Sequence, residues 1–308
     1  MTNIHLIFLK TITVIAIGFI LKQTKVLSSD HGKALSRIVL NVTLPAIILK
    51  TVTEIKLDFS LFTAPLICLL YSCSIAFISG FVFKNSPAAD KGVARMSSVG
   101  FNIGLFAYPI VLSLFGASGL ATVAMFDFGN IFIVFGLSYL LGFMNSPKLG
   151  DKKINFISLV HLFASSIPFM SFLIAIVLNV TNVPLKGFPF EVIDVIAQAN
   201  TGMALLVLGL TLDFHFDTVH WKLIGKVLAL RFIAGITVGT VLYFFLPFSL
   251  LYRTVVLFGL VLPVQLAIIP YSVEFGYDSR ITATIANFTM IVSFFLMWLF
   301  MIIMGSPV

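Results

Sequence analysis

Charge is what this sequence has least of. Only 10% of its 308 residues are Asp, Glu, Lys or Arg, against roughly 25% in an ordinary soluble domain, so there is too little charge to cover a soluble surface. Cysteine is nearly absent as well. Cys68 and Cys73 stand five apart in one apolar run, which makes neither a disulfide framework nor a metal-ligand pattern, and they read as small core residues. No Gly-rich loop ending in Lys-Ser or Lys-Thr occurs, which argues against direct ATP-driven work. The last apolar run has no lysine, which argues against a retinal protein. His161, His215 and His220 lack convergent Asp, Glu or Cys spacing and read as interfacial histidines. Neither a metal nor an organic cofactor is expected.

Long apolar runs fill the space that charge leaves. Hydrophobic residues make up 59% of the chain, 33 of them Phe, with a mean hydropathy of +1.12. Crossing ~30 Å of hydrocarbon takes ~20 residues of helix. Runs of that kind lie at 5–21, 34–53, 60–83, 93–115, 119–144, 156–180, 190–212, 220–246, 254–275 and 279–304. The pattern predicts an all-α membrane protein of ten spans, with the lipid bilayer as its surroundings and the first run as a retained span.

The net charge of +7 does not form one basic face, so no nucleic-acid partner is expected. Thirteen of the 19 Lys and Arg fall at odd-numbered connections and four at even ones, with Lys10 and Arg231 inside spans. The positive-inside rule then puts both termini outside a cytoplasmic membrane. Lys10 is near enough to a span end to snorkel.

An internal echo runs at an offset near 160. Tyr108-Pro109, Phe115-Gly116 and Asp127 are matched by Ile269-Pro270, Phe275-Gly276 and Asn287 at offsets of 161, 160 and 160, and Asn41 is matched by Asn200 at 159. Five spans per copy is an odd number, so copies at 1–146 and 147–308 would enter the membrane from opposite sides, as inverted repeats. The fourth span of each copy carries helix breakers: Asn102-Ile103-Gly104 with Pro109, and Pro263 with Pro270. Broken helices are tolerated at membrane depth only inside protein or beside a water-filled cavity. Two matching breaks therefore point to a binding site, although isolated prolines also serve as simple kinks.

Several motifs together carry a family resemblance. They are Asn41-Val42-Thr43-Leu44-Pro45-Ala46, Asn102 seven residues before Pro109, Gly202-Met203-Ala204 with Leu208-Gly209-Leu210, and Pro263 and Gln265 followed by Glu274-Phe275-Gly276. With them the chain resembles the auxin efflux carrier family of plant auxin exporters and bacterial malonate and malate permeases, across all ten spans. The resemblance implies a fold like that of bile-acid and sodium-proton transporters, in which spans 4 and 9 cross as unwound helices. It also implies a scaffold domain of spans 1, 2, 6 and 7, a transport domain of spans 3–5 and 8–10, elevator-type alternating access and a homodimer through the scaffold. The connection between spans 5 and 6 is short, and Pro270 stands two positions later than the family's crossover proline. Both departures favour a metabolite permease over an auxin exporter.

The candidate substrate-binding residues are Asn102, Gln265, Asn41, Tyr108, Pro109, Pro263 and Pro270. A side-chain amide can replace lost backbone partners and also donate to a carboxylate, and helix N-termini at the breaks favour anions. Asn102 is thus either a cap or a ligand, and Gln265 either a ligand or a partner for unwound backbone. Pro45, Asn41 and Thr43 either line the cavity or merely kink and pack span 2. Asp127, deep in span 5, is costly unless protonated or paired. It fits coupling to protons or Na+, with Asn130 three residues on and Asn287 as its repeat mate, and the competing reading is a structural pair with Arg231. The whole reads as a secondary carrier of small carboxylates. A channel-like facilitator remains the alternative, and an intramembrane enzyme is a remote one suggested only by Tyr277-Asp278.

Overall fold

A computed structural model of the chain describes residues 4–55, 59–148, 163–213 and 220–305, and no strand occurs among them. The helices are α1 (Ile4–Gln23), α2 (Ser29–Ile38), α3 (Leu44–Glu54), α4 (Phe59–Val82), α5 (Ala88–Ser98), α6 (Tyr108–Phe132), α7 (Tyr139–Phe143), α8 (Ile167–Val180), α9 (Phe188–Thr211), α10 (Trp221–Phe245), α11 (Leu250–Leu260), α12 (Ile268–Phe275) and α13 (Ser279–Met304). Wider π-helical turns at Val39–Thr43 and Ile133–Ser138 join neighbouring helices, and one at Ile103–Ala107 leads into α6. Those at Val39–Thr43 and Ile103–Ala107 come just before Pro45 and Pro109, where a widened turn accommodates the bond that proline cannot make.

Among the described residues, seven helical stretches are long and apolar enough to cross a membrane, so this is a multi-pass membrane protein. Ten runs were expected; breaks and fusions of helices account for part of the difference, and the limits of the described residues for the rest. The runs at 93–115 and 254–275 are split, at 99–102 and 261–267. The run at 156–180 begins among residues outside those described. The runs at 93–115 and 119–144 share one stretch, Ile103–Phe143, interrupted at Gly116, whose φ of 61° and ψ of −153° leave the helix. Phe77, Ile233, Phe245 and Ile303 point outward, as suits a lipid-facing surface. Ile103–Phe143 is the most enclosed stretch, 72% buried against 17% for α1, and so forms the centre of the molecule.

Glycine sets the closest helix crossing. A Cβ on Gly209 of α9 would lie 2.0 Å from the Ile15 carbonyl oxygen, and one on Gly18 of α1 would lie 2.3 Å from that of Leu206. Two backbones therefore touch, the usual device where lipid offers no hydrophobic drive. Asn179 of α8 fastens the end of α3, its Nδ2 donating to the carbonyls of Val52 at 2.8 Å and Ile55 at 2.7 Å.

Candidate functional site

The two unwound stretches meet. The backbone N–H of Asn102 donates to the Pro263 carbonyl at 2.9 Å, so the breaks at 99–102 and 261–267 are in direct contact. Gly100 holds a φ of +72°, and a Cβ there would come within 3.0 Å of the Gln265 amide nitrogen. Only glycine combines that backbone conformation with room for the neighbouring side chain.

Unwound backbone inside a membrane needs partners, and distant side chains supply them. Asn130 of α6 acts as a surrogate strand for Phe101: its Oδ1 accepts from the Phe101 N–H at 2.9 Å and its Nδ2 donates to the Phe101 carbonyl at 2.9 Å. In the second stretch the hydroxyls of α13 do similar work. Thr289 Oγ1 accepts from the Val264 N–H at 3.2 Å, and Ser293 Oγ donates to the Val261 carbonyl at 2.6 Å.

Arg231 of α10 serves both stretches at once. Its guanidinium donates to the carbonyls of Ser97 at 3.2 Å, Gly100 at 3.0 Å and Leu262 at 3.1 Å and lies 5.2 Å from the Phe101 ring centroid. Asp127 accepts from Asn130 Nδ2 at 3.2 Å, not from Arg231. The Tyr108 hydroxyl lies near the same carboxyl without a well-formed hydrogen bond to it.

Five polar atoms here are buried and unpartnered: Asn102 Nδ2, Gln265 Oε1, Tyr108 OH, Ser97 Oγ and Arg231 Nε. The orientation of Gln265 follows from its network. Ser138 Oγ donates to the Met96 carbonyl at 3.0 Å and accepts from Gln265 Nε2 at 2.7 Å, so the oxygen is the end left over. Leaving such groups unmet costs ~1–3 kcal/mol each, and a ligand with its own donors and acceptors relieves that cost.

The other sequence candidates are more scattered. Pro109, in the first turn of α6, and Pro263, in the unwound stretch, are both buried, whereas Pro270 at the third residue of α12 is exposed. Asn41 is exposed too, while its repeat mate Asn200 is buried and accepts from Thr43 Oγ1 at 2.8 Å. Asn287 accepts from the Asp213 N–H at 3.3 Å, just past α9, and so is engaged away from Asp127. His161 and His215 lie outside the described residues. Asp278 caps α13 and pairs with Arg280 at 2.6 Å. The Arg280 hydrogen bond holds its carboxyl below the usual value, which describes an ionised cap.

Sequence reading missed Ser138, Thr289 and Ser293 as partners of the breaks; the signal was hydroxyls deep in apolar runs, two of them four residues apart. It also missed a cavity of about 330 Å³ between α3, α6 and α9, lined in part by Ile47, Lys50, Glu54, Leu112 and Gln198. Lys50 there is paired with Asp194, which also accepts from Gln198 Nε2 at 2.9 Å.

Comparison with known proteins gives one family. The family described as Membrane transport protein matches residues 6–301. An uncharacterized transporter of Methanothermobacter thermautotrophicus is 24% identical over 213 residues, covering 68% of each chain. One of Methanocaldococcus jannaschii is 25% identical over 246 residues, covering 74% of this chain and 75% of its own. The uncharacterized transporter YfdV of Escherichia coli is 25% identical over 216 residues, covering 67% and 68%.

Proposed function

We propose, from the premise that this chain belongs to the membrane transport protein family, the auxin efflux carrier family that its motifs resemble, that it is a secondary carrier of small carboxylates such as malonate or malate. The observation that carries this reading is the contact between the two breaks, with Asn102 Nδ2 and Gln265 Oε1 buried and unmet beside it. A primary amide donor suits a carboxylate oxygen. The segments that restart at Ile103 and Ile268 add the positive ends of helix dipoles, which favour an anion.

On this reading the chain makes ten spans in two inverted five-span repeats. Spans 1, 2, 6 and 7 form the scaffold, and the rest move as an elevator. The Lys50 cavity lies between α3 and α9 on the scaffold side and α6 on the other, where a substrate would enter. Asp127 is the coupling residue for H+ or Na+: it lies two hydrogen bonds, through Asn130, from the unwound stretch, so its protonation state acts on the backbone that shapes the site. The membrane is the cytoplasmic one, with both termini outside, and two copies pair through the scaffold.

The test is counterflow in liposomes with labelled malonate, malate and indole acetate, with and without imposed proton and sodium gradients. Saturable exchange of a carboxylate, lost in Asn102→Ala and uncoupled from the gradient in Asp127→Asn, supports the proposal. Transport of none of these acids by the wild type would remove the substrate assignment. Normal coupling in Asp127→Asn would make Asp127 structural.

A further inference from the structure

Arg231 is a charged residue at the crossing that no motif assigns. It is 4% exposed, and it carries a full charge with no carboxylate of the described residues paired with it. Its three acceptors are backbone carbonyls, one at the end of α5 and one in each of the two unwound stretches, which are far apart in sequence. Ser97 is in the last turn of α5, and Leu262 lies two residues past the end of α11. Two helix C-terminal ends therefore converge on one guanidinium.

From this convergence we infer that Arg231 is a positioning residue: it ties both crossing segments to α10 and neutralises their two C-terminal ends, so that the anion meets only the positive ends. The inference rests on the carrier reading above for its anion, though not for its tether. The charge count is simple. Each helix end carries about half an elementary charge, so two C-terminal ends and one arginine cancel. The N-terminal ends of the two segments that restart beyond the breaks remain, together about one positive charge, which suits one carboxylate group of the substrate.

Asp127 belongs in the same count. Ionised, it would fill that positive remainder itself, so the anion binds the form in which Asp127 carries a proton. The groups facing Asp127 are Asn130 and Tyr108 from α6 and Cys68 from α4. A lysine at 231 would keep the charge but lack the planar fork that reaches several carbonyls together. Charge and tether are thereby separable.

The experiment compares wild type, Arg231→Met and Arg231→Lys in the full chain. Amide hydrogen exchange in detergent reads the tether: in Arg231→Met, peptides covering 97–102 and 261–265 exchange faster together, while α1 and α9 do not change. Counterflow of a labelled carboxylic acid and of its uncharged primary amide reads the charge. KM for the acid rises by roughly tenfold or more in Arg231→Met, the scale of a unit charge acting through a protein-like dielectric, while KM for the amide barely moves. Arg231→Lys loosens the segments yet keeps the KM for the acid. Unchanged exchange at both segments overturns the tether, and equal KM changes for acid and amide overturn the charge role. Should Arg231→Met fail to fold, Arg231→Lys still decides, because loosened segments with the acid KM of the wild type are expected of it alone. If the wild type moves no carboxylate, the carrier reading has failed and the anion role with it, while exchange alone still decides the tether.

Discussion

Replacing Asn130 with Ala should loosen the first break more than any other single truncation on α6. Asn130 makes three hydrogen bonds, two to the backbone of Phe101 and one to Asp127, and Phe101 is only 3% exposed. The alanine variant leaves a buried N–H, a buried carbonyl and a carboxyl short of partners. An unmet buried group costs ~1–3 kcal/mol, but membrane interiors soften such losses, with hydrogen bonds between helices averaging about 0.6 and reaching about 1.7 kcal/mol. Summing over the two backbone groups and the carboxyl gives about 2–4 kcal/mol. At ~2–4 °C per kcal/mol for a large domain, the melting temperature should fall by about 4–16 °C. The assay is thermal unfolding of purified protein in one detergent. Thr122→Ala on the same helix is the control, since the Thr122 hydroxyl bonds only to the Ser118 carbonyl of its own helix and its loss should cost less than ~1 kcal/mol. If Asn130→Ala melts with the Thr122→Ala control, the amide does not hold the unwound segment and the description of the break is wrong.

Asn102→Ala should abolish carboxylate counterflow while melting within about 1 kcal/mol of wild type, because its amide nitrogen makes no bond inside the protein; a large loss of thermal stability would make Asn102 a cap instead. Gly209→Ala puts a Cβ 2.0 Å from the Ile15 carbonyl oxygen, where only backbone can yield, so α1 and α9 must separate at a cost of about 1–3 kcal/mol or more, read as loss of monodisperse protein on size exclusion. Lys50→Met removes a pair whose side chains are 35% and 29% exposed; unfolding midpoints should move by less than ~1 kcal/mol, and the effect should fall on the KM of an anionic substrate.

The positions of the breaks were legible because their cause is local. Proline removes a backbone donor and crowds the preceding turn, so Asn102 with Pro109 and Pro263 with Pro270 marked both interruptions from sequence, although Pro65 sits inside the unbroken α4. What satisfies the breaks was not legible, because the partners are tertiary. Asn130 reaches back 29 residues to Phe101, and Arg231 spans 131 residues to Gly100 and 31 to Leu262. Two buried ionisable residues, Asp127 and Arg231, suggested an ion pair, but a sequence does not display backbone carbonyls, and these are the acceptors that Arg231 takes. Pro270 and Asn41 misled for a related reason. A repeat equates positions, yet the two halves bury them differently, so Pro109 and Asn200 are enclosed where their mates are exposed.

The distribution of satisfied and unsatisfied atoms separates what holds the crossing from what it offers a ligand. Each unwound stretch is fastened at particular points: Phe101 by Asn130, Val261 by Ser293, Val264 by Thr289, and both stretches by Arg231. Gln265 divides its own amide, with the nitrogen fixed by Ser138 and the oxygen left free. If the crossing were only a pair of structural kinks, that oxygen and the nitrogen of Asn102 would be a standing cost with nothing gained, since an apolar side chain of similar shape would avoid it. A ligand that supplies one acceptor and one donor removes the cost when it binds and restores it when it leaves. Binding is then favourable without being deep, as a carrier that must release its cargo on the far side requires. The one full positive charge at the crossing is committed to carbonyls, so release does not have to break an ion pair.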